Sequence, residues 1–155
     1  LLSYESLSVK AAEASARFHA LSAQIKAAEK RMAEIAMLRT HIINYSKTRD
    51  VYVAYRKAGY SKKFYEEHTA DLLLHKAAKQ AFDALASKKL PTVKALNIEY
   101  AELLAAKKKA FTEYTSARAE MRKVLAVKAN VEKILERDKN IDTAIIFAEN
   151  SLKDL

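Results

Sequence analysis

Apolar residues recur along the first 45 positions at alternating steps of four and three. The series is Leu7, Ala11, Ala14, Phe18, Leu21, Ile25, Ala28, Met32, Ile35, Arg39 and Ile42, with Arg39 its one polar member. A period of 3.5 residues keeps one face of a helix against a partner helix along its whole length. No Gly or Pro interrupts the pattern before Gly59, and Gly is the usual residue just past a helix end. The pattern predicts a helix from about Ser3 to Ala58, roughly 80 Å long at 1.5 Å per residue.

A second seam follows Pro91, a residue suited to the first turn of a helix because its missing N–H has no partner there. Leu96, Tyr100, Leu103, Lys107, Ala110, Tyr114, Ala117, Met121, Val124, Lys128, Val131 and Leu135 keep the same steps. This helix is expected over about 92–138, ending near Asp138-Lys139-Asn140. Two such seams joined by a short insert predict an antiparallel pair. Paired residue numbers are expected to sum to about 145 to 150, with Ile25 near Met121 and Ile42 near Leu103. Arg39, Lys107 and Lys128 weaken the seam and help to fix its register.

The insert, about 60–88, is also helical in pattern. Ser61 is placed to cap a short helix over Lys62 to Glu67, and Thr69 with Asp71 opens another. From Leu72 to Leu85 the apolar positions cover more than one stripe, which predicts two neighbours for that helix. The segment "NIDTAIIFAENSLKDL" reads as a short C-terminal helix over about 142–155, capped by Asp142 and docked on the open end of the pair. The expected fold class is all-α. It comprises a long antiparallel two-helix coiled-coil stalk, a small helical head inserted between the long helices and a short C-terminal helix, all in one domain.

Composition agrees with long helices, since 155 residues contain one Gly and one Pro. No apolar run reaches the ~20 residues of a membrane-spanning helix. No cysteine is present, which excludes a disulfide framework and a thiolate metal site and suits a reducing cytosol. The chain opens Leu1-Leu2-Ser3 without a methionine, as expected of a piece of something larger. The net charge is +9, and residues 46–110 carry most of it, with fourteen basic against seven acidic residues. Such an excess attracts polyanions.

Candidate chemistry is sparse. His19, His41, His68 and His75 show no i,i+4 pair of the kind that shares a zinc, and packed or solvated roles suit them better. There is no thiol nucleophile and no Gly-rich loop to cradle a phosphate. The most informative stretch is "KTRDVYVAYRKAGYSKKFYEEH", residues 47 to 68, which holds four of the eight tyrosines and six lysines and arginines. On one reading Lys47, Arg49, Arg56, Lys57, Lys62 and Lys63 contact phosphates, with Lys88 and Lys89 as further candidates. Tyr52, Tyr55, Tyr60 or Tyr65 then stack on unpaired bases. On the other reading the tyrosines are buried between helices and the lysines only keep the surface soluble. For the tyrosines the buried reading is favoured. For the lysine cluster the two stand even.

The run from Ala27 to His68, followed by "LLHKAAKQAFDAL", "KKLPTVKALNIEYAELLAAKKKAF" and "EYTSARAEMRKVLAVKANVEKIL", resembles the C-terminal helical region of relaxases. These are the mobilization nucleases encoded by bacterial integrative and mobilizable elements. The likeness covers roughly residues 4 to 137 and is most specific from Thr40 to Lys63. In that family an N-terminal domain nicks DNA with a catalytic tyrosine and a metal held by histidines. This chain has no His-x-His pair, and no catalytic or metal residue is carried over; Tyr45, Tyr52 and Tyr55 are not the family's nucleophile. The resemblance implies a cytoplasmic, non-catalytic accessory module of a conjugative relaxase, without cofactor or small-molecule substrate. Its expected partner is single-stranded or duplex DNA, bound with tolerance of sequence. The alternative is a coiled-coil interaction or dimerisation module that meets other transfer proteins. An anionic membrane is the weakest candidate partner, because the chain lacks a Trp/Phe-rich amphipathic face.

Overall fold

The computed structural model describes residues 3–86 and 89–153. Four helices follow in order: α1 (Tyr4–Lys57), α2 (Lys62–Glu67), α3 (Thr69–Asp83) and α4 (Val93–Lys153). The fold is all-α as the periodicity predicts, and the described residues contain no strand. The chain divides into two compact units, a central one of Lys26–Lys108 and a terminal one of Leu1–Ile25 with Lys109–Leu155.

The helix ends follow local chemistry. Ser3 Oγ accepts from the Ser6 N–H at 3.0 Å at the start of α1. At its other end the Gly59 N–H donates to the Arg56 carbonyl and the Tyr60 N–H to the Tyr55 carbonyl, both at 3.0 Å. This pair of bonds is a Schellman motif, which satisfies carbonyls that the helix leaves open. Gly59 takes φ +69° and Tyr60 φ +59°, so two successive residues are left-handed. Ser61 caps α2 by accepting from the Phe64 N–H, and Thr92 caps α4 by accepting from the Ala95 N–H at 3.0 Å.

In the terminal unit α1 and α4 run antiparallel. Leu21 clusters with Ala110 and Ala117, flanked by Phe18, Ile25 and Tyr114. The alanines leave room for the large side chains opposite, and the Phe18 and Tyr114 rings lie 4.9 Å apart. Arg17 meets Glu120 at 3.3 Å, and Tyr4 Oη donates to Glu132 at 2.7 Å. Beyond that contact every described residue of α4 is exposed.

In the central unit Ile35, Leu38 and Leu96 form the core, with Ile42, Phe82, Leu85, Tyr100 and Leu103 around it. Polar pairs set the register of α1 against α4 here. Arg31 forks onto Glu99, with Nε to Oε1 at 2.6 Å and Nη2 to Oε2 at 3.0 Å. Those bonds raise the arginine's pKa and lower the carboxylate's. Glu29 meets Lys107 at 3.1 Å. Arg39 donates to Asn97 Oδ1 at 2.7 Å and lies 5.2 Å above the Tyr100 ring. Arg39 and Lys107, polar members of the seam, thus have specific partners on the facing helix.

Three expectations differ from what is observed. Paired residues across α1 and α4 sum to between 130 and 137, not 145 to 150. The helices do not end flush, because α1 continues past the start of α4 and lays its last turns against α3 instead. The second difference is α4 itself, which runs unbroken to Lys153, so that the described residues hold no separate C-terminal helix and those from Lys133 onward are all exposed. Asp138, Asn140 and Asp142 are poor helix formers, but each costs only about 0.7 kcal/mol relative to Ala, and no Gly or Pro intervenes. Third, the apolar arc of α3 is only partly used: Leu72, His75 and Ala78 are buried and Phe82 packs on the cluster of Ile35, Leu38 and Leu96, while Leu73 and Leu74 stay 50% and 43% exposed.

The register is directly testable. Cysteines at Leu21 and Ala117 should form an intramolecular disulfide under mild oxidation, read by mass spectrometry. Cysteines at Ile25 and Met121 should not, since in the observed register they lie about ten residues, or about 15 Å, out of step. The opposite result would restore the flush pairing.

Candidate nucleic-acid interface

Past Ile42 the inner face of α1 becomes aromatic and receives α3 and α2. Tyr45, Thr48 and Tyr52 recur at steps of three and four and enclose His75 of α3. The His75 ring stacks between Tyr45 and Tyr52, each centroid 4.5 Å away, and the residue is 3% exposed. Thr48 Oγ1 lies 2.7 Å from the Asn44 carbonyl and 3.0 Å from His75 Nδ1. A hydroxyl has one proton, and the shorter contact takes it. The oxygen then accepts from a protonated Nδ1, which sets the neutral imidazole's tautomer. Burial, with help from the charge of Lys79, holds the His75 pKa below its ordinary value.

A second aromatic group closes the end of α1. Tyr55 contacts Tyr60 edge-on at 5.3 Å, Phe64 at 5.9 Å and Tyr65 at 6.0 Å. Phe64 in turn stacks on His68 at 4.2 Å. The tyrosines of the stretch therefore divide. Tyr52, Tyr55 and Tyr65 are half-buried in these contacts, whereas Tyr60 is 55% exposed. Its exposed position follows from the left-handed turn that carries it.

Lys47, Arg49, Arg56, Lys57, Lys62, Lys63 and Lys89 are all exposed, and Lys88 lies outside the described residues. None of the first six makes an ion pair among the described residues. They do not form one row. At about 100° per residue, Arg49 and Arg56 share a flank of α1, while Lys47 lies about 160° around the helix from Arg49. Lys62 and Lys63 occupy the first turn of α2, just beyond Tyr60. In the chain, Arg56, Lys57, Lys62 and Lys63 thus flank Tyr60 and the turn within eight residues, and Arg49 is in line with Arg56.

Other concavities offer less. A groove of about 460 Å³ between α1 and α3 is lined by Met37, Leu38, Ala81 and Leu85. His41 also lines it, and its Nδ1 is buried with no partner among the described residues. No group of three His, Asp or Glu side chains among the described residues is arranged to hold a metal ion. No helix among them is long and apolar enough to cross a membrane. Comparison with protein-family models, curated proteins and solved structures finds no match to this chain.

Two measurements probe how the site is held. Gly59→Ala should cost about 1 kcal/mol in denaturant unfolding, the penalty of a left-handed L-residue. Nothing lies within 4 Å of the added Cβ, so a much smaller loss would mean that the turn relaxes. The second concerns pH. The unfolded chain protonates His75 near 6.5 while burial lowers its pKa in the folded chain, so its effect on stability is absent above that pH. As pH falls below about 6.5 the unfolded state is favoured and stability declines. His75→Phe keeps a ring between the tyrosines, and its stability between pH 7 and 5 should decline less steeply than the wild type's.

Proposed function

We propose that this chain is a non-catalytic helical accessory module of a conjugative relaxase, which binds DNA through the basic turn between α1 and α2 during plasmid or transposon mobilization. The observation that carries the reading is the group of exposed cations Arg49, Arg56, Lys57, Lys62 and Lys63 flanking the exposed Tyr60 in the chain, none of them in an ion pair among the described residues. Unneutralised cations gain most from phosphates because binding releases condensed counterions. The resemblance to the helical region of mobilization nucleases supplies the context, a cytoplasmic protein that handles DNA. On this reading the chain contributes affinity and the nicking chemistry resides elsewhere. A protein-interaction role, with other transfer proteins as partners, is the second reading, and it is favoured by the apolar side chains that α4 exposes beyond Glu132.

Salt dependence separates them. Because the cations are spread around α1, two to four phosphates are contacted at once. The slope of log K against log salt should be about −0.7 per contact on single strands or −0.9 on duplex. Replacing Lys62 and Lys63 with glutamine should make the slope shallower by one to two units without loss of helicity. Tyr60→Leu should cost roughly 1–3 kcal/mol of single-strand affinity if the ring stacks on a base. No measurable binding to either DNA form at low salt would remove the DNA reading and leave the interaction module.

A further inference from the structure

We propose that residues 133–153 of α4 are a homotypic interface, pairing with the same segment of a second copy of this chain as a parallel, in-register coiled coil. The inference stands apart from the DNA reading, since it concerns a different surface. Every residue from Lys133 to Lys153 is exposed. Yet Ile134, Ile141, Ile145 and Leu152 are each at least half exposed and lie along one stripe with Ala148. Positions 134, 138, 141, 145, 148 and 152 follow steps of four and three, a coiled-coil seam with Asp138 as its polar member. A helix of this length with no tertiary partner is marginal in water, and a contiguous apolar stripe marks an association surface. Three heptads, about 30 Å of helix, bury on the order of 1,200 Å² between two chains, the lower end for a specific interface.

Charge selects the occupant. Residues 133–153 hold four basic and four acidic side chains, which attract neither a polyanion nor an anionic membrane. On the stripe's two flanks stand Arg137 and Asp142, five residues apart. In a parallel, in-register pair these are the facing positions across the interface, so each copy's arginine meets its partner's aspartate, which gives two such pairs by symmetry. An antiparallel pair would instead set the two Asp142 side chains against each other and leave Arg137 opposite Ser151. The two Asp138 side chains face one another in the parallel seam, lowering stability while fixing register, as single polar core positions do.

Sedimentation equilibrium of the whole chain should show reversible association in the micromolar range. Ile145→Lys should weaken it more than about a hundredfold, and Asp138→Asn should strengthen it. Arg137→Asp and Asp142→Arg should each weaken self-association about five- to tenfold. Mixed in equal amounts, those two variants should form a heterodimer, because both cross pairs are then complementary. A monomer at every concentration, or association indifferent to Ile145→Lys, overturns the proposal. So does an Arg137→Asp variant that associates like the wild type, which would indicate another orientation.

Discussion

The offset between α1 and α4 governs what else each unit contains. In the central unit the fork of Arg31 on Glu99 and the Arg39 contacts with Asn97 and Tyr100 hold the two helices in a register that leaves the last turns of α1 beyond the reach of α4. An apolar helix face left in water is costly, and here α3 covers it, with His75 clasped by Tyr45, Thr48 and Tyr52. In the terminal unit the same kind of offset works the other way. There α4 continues beyond Tyr4 and Glu132, and nothing among the described residues covers it. A flush pairing would have removed the first feature and shortened the second to about the last two turns of α4.

The seams were legible because a 3.5-residue period survives the small departures at Arg39, Lys107 and Lys128. The ends of α1 and α2 were legible for a different reason: Gly59 and Ser61 act through their own backbone and side-chain chemistry, without tertiary help. Register was not legible. A heptad seam slid by whole heptads, or by half of one, still sets apolar residues against apolar residues. Only particular pairs break that degeneracy, and Arg31 with Glu99, 68 positions apart, carries no local signal. The width of the α3 apolar arc misled for a related reason. Hydrophobicity counts Leu73 and Leu74 as core, whereas the turn of the helix leaves them in water and buries His75 instead.

The candidate site shows the same limit of one-dimensional reading. Lys47, Arg49, Arg56 and Lys57 are neighbours in sequence, but a helix distributes them around its circumference. The tyrosines at helical spacing claim the inner face, as aromatics on a long helix usually do. The cations are therefore confined to the flanks and the outer face of α1, where no single strand follows them all. The turn is where that constraint lapses. Once the chain leaves α1 through the left-handed pair Gly59 and Tyr60, helical phase no longer separates side chains, and α2 begins at once with Lys62 and Lys63. Arg56 and Lys57 at the end of one helix and Lys62 and Lys63 at the start of the next thus stand on either side of one exposed ring. The Schellman motif that ends α1 in this sense keeps these cations close along the chain. A longer connection would set the same residues further apart in sequence.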